Sequence, residues 1–219
     1  MNDSCNRRLR DLLRQRKGVL LPGAANALTA RLIEDLGFAA VYVTGAGVTN
    51  TFLGVPDIGL VTVTELANHV SAMREAVDIP LIVDADTGFG NPVNMVRTVQ
   101  TLERAGANAI QLEDQDFPKR CGHFSGKSVI PRPEMVQKIR AAVDARNDAD
   151  LVIMARTDAI AINGFDDAME RAAAYIEAGA DMTFVEAPRS KEQIAEIPKR
   201  LPIPQLINIV AGGLTPMIQ

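Results

Sequence analysis

Residues 80–114 read PLIVDADTGFGNPVNMVRTVQTLERAGANAIQLED, and this stretch decides the predicted fold. The apolar runs Pro80–Asp84 and Ala109–Glu113 predict two strands, and the periodic stretch Asn94–Ala105 predicts an amphipathic helix between them. Gly106 suits the left-handed residue that ends a helix before the next strand. Nearly continuous apolar runs are typical of parallel strands that helices cover. The stretch therefore predicts one β/α/β unit with a carboxylate at the end of each strand.

The same unit recurs on both sides of this stretch. Further strands are predicted over Val19–Pro22, Ala39–Thr44, Leu151–Arg156, Met182–Glu186 and Gln205–Val210. Further helices are predicted over Ala27–Leu36, Val63–Val77, Glu134–Arg146 and Asp166–Ala178. Seven successive units favour an α/β fold of the (β/α)8 TIM-barrel type over a doubly wound sheet. A complete barrel takes about 250 residues. We therefore expect residues 1–219 to form a single barrel domain, truncated after the seventh strand, with the C-terminal strand and helices missing.

Composition and charge argue against several classes of protein. A net charge of −4, a pI near 5.3 and the lack of a basic patch predict no nucleic-acid partner. The basic residues between Arg7 and Lys17 predict a solvated amphipathic helix. No apolar run approaches the roughly 20 residues that span a bilayer, so we expect no membrane association. The two cysteines, Cys5 and Cys121, predict no disulfide framework, and we expect a cytoplasmic protein.

Polar or charged residues end six successive predicted strands. They are Thr44, Asp84 with Asp86, Glu113 with Asp114, Arg156 with Asp158, Glu186 and Asn208. The active sites of (β/α)8 barrels lie at these carboxyl ends. One such aspartate is more often a helix cap than a ligand. Six strand ends in succession indicate an active site.

The carboxylates among these residues predict a metal site. Asp84 and Asp86 are two positions apart, so on a strand both side chains project from the same face. Glu113 is expected to approach them from the neighbouring strand. Hard oxygen donors without nearby Cys/His pairs favour Mg²⁺, with Mn²⁺ as a possibility, over Zn²⁺. The alternative is a set of carboxylates that are ion-paired with Arg156 and other bases.

A long loop follows the fourth predicted strand. Residues 115–127 read QDFPKRCGHFSGK, and a loop of this length after a barrel strand is typical of a movable active-site lid. Lys119, Arg120 and His123 surround Cys121 with groups that are or can be positively charged. Such neighbours lower the pKa of a thiol and favour proton exchange. The loop therefore predicts an acid/base cysteine above the carboxylates.

These motifs together resemble one enzyme family. Residues 119–123, KRCGH, resemble the cysteine-containing signature of the isocitrate lyase and phosphoenolpyruvate mutase superfamily. Residues 42–45, 83–90 and 153–159 and the strand with Asn208 are also similar to that family. The resemblance covers essentially the entire chain. The branch it points to is the 2-methylisocitrate lyase group, which includes dimethylmalate lyase.

The resemblance implies a role for each matching residue. Asp84 and Asp86 would hold Mg²⁺ directly or through water, with Asp57 and Glu113 around its water shell. Cys121 would be the catalytic acid/base, Tyr42 its partner near the reacting hydroxyl, and His123 would steady the lid. The substrate-binding set would be Thr44, Gly45, Ala46, Gly122, Arg156, Glu186 and Asn208. Thr44 stands where many relatives have serine. A homo-oligomer, a tetramer, is expected if the C-terminal region is present.

The residues also suit a retro-aldol cleavage. A 2-hydroxy acid loses its hydroxyl proton, the adjacent carbon–carbon bond breaks, and a 2-oxo acid departs. The other half leaves as a carbanion that the Cys121 thiol is placed to protonate. Mg²⁺ stabilises the developing charge. A Schiff-base aldolase would need a strand-end lysine, and the predicted strands have none.

Several functions remain open at this point. The leading hypothesis is a Mg²⁺-dependent lyase that acts on a 2-methylisocitrate-like 2-hydroxy dicarboxylic or tricarboxylic acid. The second is an oxaloacetate hydrolase or decarboxylase on the same scaffold. Phosphonate chemistry is disfavoured because the Cys121-Gly122-His123 lid is intact. The non-enzyme hypothesis is a truncated, inactive protein that binds a dicarboxylate or partner subunits.

Overall fold

A single parallel sheet organises the chain. The computed structural model describes residues 4–15, 17–120, 126–210 and 212–217. Each strand pairs in parallel with its successor, and helices connect the successive strands, as in a (β/α) barrel. The predicted α/β barrel is therefore confirmed. Within the described residues the sheet is open between its first and seventh strands. The strands are β1 (Gly23–Ala24), β2 (Val41–Val43), β3 (Leu81–Asp84), β4 (Ala109–Glu113), β5 (Val152–Thr157), β6 (Met182–Val185) and β7 (Gln205–Leu206).

The helices lie between these strands, apart from the first, which precedes them. A π-helical turn over Thr49–Leu53 follows the third helix, and a 3₁₀ turn over Ala159–Ala161 follows β5. Within the described residues, each helix is too short or too polar to traverse a bilayer. The helices are α1 (Cys5–Arg14), α2 (Ala27–Asp35), α3 (Gly45–Val48), α4 (Val63–Ala76), α5 (Pro92–Ala105), α6 (Arg132–Ala145), α7 (Phe165–Glu177) and α8 (Lys191–Arg200).

Helix α5 shows how local sequence sets these boundaries. The Asn91 side chain accepts hydrogen bonds from the amides of Val93 and Asn94, and Pro92 occupies the first helical position. Gly106 ends the helix with a φ of 104°, the left-handed conformation predicted for a glycine at this position. The predicted start at Asn94 was two residues late, because the apolar periodicity begins only after this cap.

Alternating side chains of β4 join two different hydrophobic cores. Ala109 on β4 packs inside the barrel with Met154 and Phe184, whereas Ile110 and Leu112 pack beneath the outer helices. This alternation follows from the two-residue period of a strand. The inward-facing row of β4 continues from Ala109 through Gln111 and Glu113, so these polar side chains face the carboxyl-end rim.

The first strand lies later than predicted. Val19 and Leu20, within the predicted strand Val19–Pro22, are 42% and 73% exposed. The residues that pair with β2 are Gly23 and Ala24. Pro22 has no amide proton to donate to a ladder, although its carbonyl accepts from Tyr42 N at 2.9 Å. The prediction of Val19–Pro22 was therefore wrong, because an apolar run alone does not show which residues are paired.

Helix α1 closes the amino-terminal end of the barrel. Leu9 is 1% exposed and joins the inner core. Asn6 accepts a hydrogen bond from Asn108 Nδ2 at 2.7 Å, and Arg10 Nη1 lies 2.7 Å from Asp181 Oδ1. The predicted amphipathic helix is present, but one face is packed against the barrel and is not solvated.

Candidate functional site

Asp84 and Asp86 bring two carboxylates together at the end of β3. A methyl group added to Gly45 would lie 3.1 Å from Asp84 Oδ2 and 3.2 Å from Asp86 Oδ1, so both oxygens face one point. The two-residue spacing predicts both side chains on one strand, yet β3 ends at Asp84. Asp86 instead has a φ of 49°, and its amide donates to Asp84 Oδ1 at 3.2 Å. A left-handed turn, which Asp tolerates better than most residues, therefore makes the two side chains converge.

Lys119 joins Asp86 to Asp57. Its Nζ lies 2.6 Å from Asp86 Oδ1 and 2.5 Å from Asp57 Oδ1, and its side chain is 3% exposed. Asp57 itself is 7% exposed, so the triad is buried. Burial alone would lower the pKa of Lys119, but Asp86 and the neighbouring carboxylates raise it above its ordinary value. Lys119 is therefore a buried ammonium group among acids.

A glutamine links Tyr42 to Asp84. Gln111 is fully buried on β4, and its Nε2 donates to Asp84 Oδ1 at 2.8 Å. The Tyr42 hydroxyl donates to Gln111 Oε1. Burial, followed by the charge of Asp84, raises the pKa of Tyr42 well above its usual range. Tyr42 therefore rests as a neutral phenol.

Arg156 stands among three carboxylates. Its Nε and Nη2 donate to Asp158 at 2.9 Å and 3.1 Å. Glu113 Oε2 lies 3.4 Å from Nε, and Glu186 Oε2 lies 3.6 Å from Nη2. The guanidinium also lies over the Phe184 ring, 4.9 Å from its centroid. These contacts fix the plane of the guanidinium at the rim.

The stem of the predicted lid is tied to the same cluster. Lys127 Nζ lies 2.7 Å from Asp158 Oδ1, and both side chains are almost fully buried. Gln115 pairs in an antiparallel bridge with Val129, and its side chain exchanges hydrogen bonds with the Arg120 backbone. The two described ends of the loop therefore meet beside Arg156.

The remaining predicted residues of the described chain lie at the same end of the barrel. Thr44 follows β2, where its hydroxyl accepts from Gly47 N at 3.2 Å and so caps α3. Gly45 and Ala46 form the first turn of α3, where amide groups have no partner within the helix. Asn208 lies two residues beyond β7 and is partly buried. Cys121, Gly122 and His123 lie outside the described residues, and their roles stay predictions.

Among the described residues, negative charge exceeds positive charge in this buried cluster. The cations described there are Lys119, Arg156 and Lys127. Burial raises the pKa of Glu113 well above its ordinary value, against the opposing effect of Arg156. Burial, with Asp84 adding to it, raises the pKa of Asp86 to about 7 despite Lys119. A further cation would relieve this excess. The six carboxylates are Asp57, Asp84, Asp86, Glu113, Asp158 and Glu186.

The donor chemistry fits a hard divalent cation. Among the described residues, no group of three or more His, Cys, Asp or Glu side chains is placed to hold a metal ion. The paired oxygens of Asp84 and Asp86 are nevertheless suitable ligands, because Mg²⁺ keeps several waters and needs few protein donors. Glu113 Oε1 is buried and has no hydrogen-bond partner within the described chain. It is therefore available to a water of such an ion.

Four residues of the cluster were not predicted as site residues. Lys119 was assigned to the neighbourhood of Cys121, whereas its ammonium group pairs with Asp57 and Asp86. The sequence pattern places Lys127 in the lid and gives it no role. It places Asp158 at a strand end, also without a role. Gln111 carried a usable signal, because it lies two positions before Glu113 and so shares its inward face.

Comparison with known proteins identifies the family of the chain. The family model described as phosphoenolpyruvate phosphomutase matches residues 9–219. The chain belongs to the phosphoenolpyruvate mutase and isocitrate lyase superfamily. Within that superfamily, 2,3-dimethylmalate lyase of Eubacterium barkeri is 50% identical over 212 residues, covering 97% of this chain and 73% of the relative. A 2-methylisocitrate lyase of Aeropyrum pernix is 50% identical over 210 residues, covering 96% and 67%. The predicted family is confirmed, and these relatives are lyases by name.

Solved structures of the superfamily share the fold. Oxaloacetate acetylhydrolase, in complex with 3,3-difluorooxalacetate, has a TM-score of 0.94 and 39% identity, covering 99% of this chain and 75% of that protein. Phosphonopyruvate hydrolase, in complex with oxalate and Mg²⁺, has a TM-score of 0.84 and 35% identity, covering 93% and 71%. This chain thus spans about two thirds to three quarters of the length of these relatives.

Proposed function

We propose that the protein is a Mg²⁺-dependent carbon–carbon lyase. Its substrate is a 2-methylisocitrate-like 2-hydroxy dicarboxylic or tricarboxylic acid, which it cleaves to a 2-oxo acid and a second carboxylate. The observation that carries the proposal is the excess of buried carboxylates around Asp84 and Asp86, with Arg156 on the same rim. Lyases that are 50% identical over nearly the whole chain support the reaction class.

Substrate binding is assigned to Arg156 and to the ion held by the two aspartates. Asp84 and Asp86 would hold Mg²⁺, with Asp57 and Glu113 around its waters, and the bound ion would supply positive charge for the oxyanion that develops on the substrate. Arg156 binds a carboxylate of the 2-oxo acid portion. Asp158 holds Arg156 through two hydrogen bonds, so little side-chain freedom is lost when substrate binds. In this proposal Thr44, Gly45, Ala46, Gly122, Glu186 and Asn208 position the rest of the substrate.

Proton transfers are assigned to Tyr42, Glu113 and Cys121. The raised pKa of Tyr42 keeps its phenol neutral, so its oxygen accepts a hydrogen bond from the substrate hydroxyl and orients it. The proton that this hydroxyl loses passes to a rim carboxylate, a role that suits Glu113 because its pKa is raised and its Oε1 has no partner among the described residues. Cys121 donates a proton to the carbanion after the carbon–carbon bond breaks, and His123 steadies the loop. The phenol oriented by Gln111 and the thiol thus act on opposite products of the cleavage.

Product analysis tests the proposal. The protein is incubated with Mg²⁺ and either 2-methylisocitrate or 2,3-dimethylmalate, and pyruvate is measured beside succinate or propionate. We expect pyruvate and the second acid in equal amounts, and EDTA should stop their release. Failure to cleave either acid in the presence of Mg²⁺ contradicts the lyase proposal.

The second candidate function is the hydrolysis of oxaloacetate. It is favoured by the similarity to oxaloacetate acetylhydrolase, which is 39% identical with a TM-score of 0.94. Water addition to oxaloacetate yields oxalate and acetate, which are distinct from the lyase products. These two products without pyruvate from the 2-hydroxy acids would assign the hydrolase. Mg²⁺ binding without any turnover would instead assign a ligand-binding protein.

Two variants separate metal binding from chemistry. Asp84→Asn removes one of the paired carboxylates, so we expect at least a tenfold loss of Mg²⁺ affinity by calorimetry. Asp35→Asn alters an exposed aspartate on α2 and should bind Mg²⁺ as the wild type does. Cys121→Ser should abolish turnover and keep Mg²⁺ binding. Near-normal rates in that variant would remove Cys121 from the mechanism.

The cellular setting follows the sequence predictions. A cytoplasmic location and a homo-oligomeric state, a tetramer if the C-terminal region is present, belong to the proposal. Analytical ultracentrifugation of the purified protein checks the oligomeric state. A monomer at the working concentration, in a protein that includes the C-terminal region, would contradict it.

A further inference from the structure

We propose that Gln111 is a positioning residue that sets the direction of both the Asp84 carboxylate and the Tyr42 hydroxyl. The inference rests on the proposed function, because it assigns Asp84 to a cation and Tyr42 to the substrate hydroxyl. Gln111 touches neither reacting group of the substrate in this scheme. It acts through the two side chains that do.

Gln111 occupies a place from which it can reach both partners. It pairs in register with Asp84 on β3 and with Met154 on β5, so its backbone is fixed from both sides. Its side chain is fully buried and faces the barrel interior. Nε2 lies 2.8 Å from Asp84 Oδ1, and Oε1 accepts from the hydroxyl of Tyr42 on β2. One amide therefore connects three adjacent strands.

The chemistry of the partners fixes the orientation of this amide. An ionised carboxylate only accepts hydrogen bonds, so the NH₂ group of Gln111 must face Asp84. The carbonyl oxygen must then face Tyr42, and the phenol must be the donor. The hydroxyl proton of Tyr42 is thus directed to Gln111, and the lone pairs of the phenol oxygen are left for a donor such as a substrate hydroxyl. A tyrosine held in this way is an acceptor toward substrate.

The same amide selects one oxygen of Asp84. The hydrogen bonds that described residues donate to this carboxylate, from Gln111 Nε2 and from the Asp86 amide, both fall on Oδ1. Oδ2 lies 3.1 Å from a Cβ built at Gly45, and Asp86 Oδ1 lies 3.2 Å from the same point. Gln111 therefore turns Oδ2 toward the point that both aspartates share. Outer hydrogen bonds of this kind commonly change metal affinity 10- to 100-fold, as an order of magnitude.

The test uses substitutions that remove or restore the donor–acceptor pair. Gln111→Met keeps the length of the side chain and removes both hydrogen bonds. Gln111→His restores them in part, because a neutral imidazole has a donor and an acceptor on opposite sides. Leu112→Met is the matched control, since Leu112 is equally buried on β4 but faces the outer core. Urea unfolding of each variant shows that it is folded.

Two readouts follow the two partners separately. Calorimetry with Mg²⁺ alone reports on Asp84. Tyrosine labelled with ¹³C at Cζ reports on Tyr42, because the chain has two tyrosines and no tryptophan, and Tyr42→Phe assigns the signal. We expect Gln111→Met to weaken Mg²⁺ binding about tenfold or more and to shift the Tyr42 signal while the Tyr175 signal stays in place. Gln111→His should recover part of both.

The outcomes distinguish failure of the positioning role of Gln111 from failure of the proposed function. Wild-type Mg²⁺ affinity and an unmoved Tyr42 signal in folded Gln111→Met overturn the positioning role. Equal effects in Gln111→Met and Leu112→Met also overturn it, because they would reflect general repacking of β4. A wild-type protein that neither binds Mg²⁺ nor cleaves its substrates refutes the proposed function. The Tyr42 signal then still shows whether Gln111 orients the phenol.

Discussion

Replacing Asp158 with asparagine removes one buried negative charge and keeps the shape of the side chain. Asp158 Oδ1 lies 2.7 Å from Lys127 Nζ and 3.1 Å from Arg156 Nη2, and Oδ2 lies 2.9 Å from Arg156 Nε. An asparagine offers one oxygen to these three donors. Its NH₂ group must then face another donor, either Arg156 Nε or the pair of Arg156 Nη2 and Lys127 Nζ. We expect a folded but clearly less stable protein.

The expected loss follows from the burial of the three groups. Removing one partner of a buried ion pair costs about 3–5 kcal/mol, because the remaining charge stays out of water. Arg156 keeps Glu113 and Glu186 nearby, at 3.4 Å and 3.6 Å. These longer contacts compensate in part, so we expect about 3 kcal/mol, the lower end of that range.

Urea unfolding measures this loss. The chain has no tryptophan, so far-UV circular dichroism is the suitable signal. At an m value of about 2 kcal/mol per M, a loss of about 3 kcal/mol lowers the midpoint by about 1.5 M. Asp35→Asn is the matched control, because its 3.2 Å pair with Arg31 is more than half exposed and contributes below about 1 kcal/mol. Equal midpoints for the two variants would refute the reasoning.

Three further perturbations have defined outcomes. Burial raises the pKa of Asp158, but the two adjacent cations outweigh it and hold the pKa below the ordinary 3.8. The stability advantage of wild type over Asp158→Asn should therefore be full above about pH 4 and shrink as the pH falls further; an advantage that grows toward low pH would contradict this sign. Tyr175→Phe removes a 2.7 Å hydrogen bond to Asp114 and should cost about 1–3 kcal/mol in urea unfolding, whereas an unchanged midpoint would show that the bond contributes nothing. Gly88→Ala places a Cβ 2.1 Å from Met95 Cε at a φ of 83°, so we expect a loss of about 1–3 kcal/mol. A melting temperature equal to that of wild type would mean that Met95 moves aside at no cost.

The sequence predicted the barrel because each β/α unit carries its own pattern. The apolar runs Pro80–Asp84 and Ala109–Glu113 lie within one residue of β3 and β4. Gly106 ends α5 as predicted. The apolar pattern gave the wrong strand at Val19–Pro22, because strand pairing determines which residues form the strand. Exposed and buried apolar residues look the same in a sequence. The inner position of Gln111 follows from the alternation of β4.

The contacts within the site were harder to predict. Which oxygen meets which donor depends on strand register and on turns such as that of Asp86, with its φ of 49°. The position of Lys119 depends on how the loop after β4 folds back over the rim. A sequence shows that Lys119 is near Cys121 along the chain, but not that its ammonium group is buried between two aspartates. Charge and spacing predicted the location of the site, and only coordinates give its connections.

Helix α1 has a consequence for how the chain assembles. It is synthesised before the residues that hold it: Asn6 bonds to Asn108 and Asp148, and Arg10 binds Asp181. These partners are synthesised roughly 100 to 170 residues later. Contacts of such long sequence separation form late and slow the folding of a chain. Helix α1 is thus made well before it can find its place, and it must stay unaggregated with Leu9 uncovered until then.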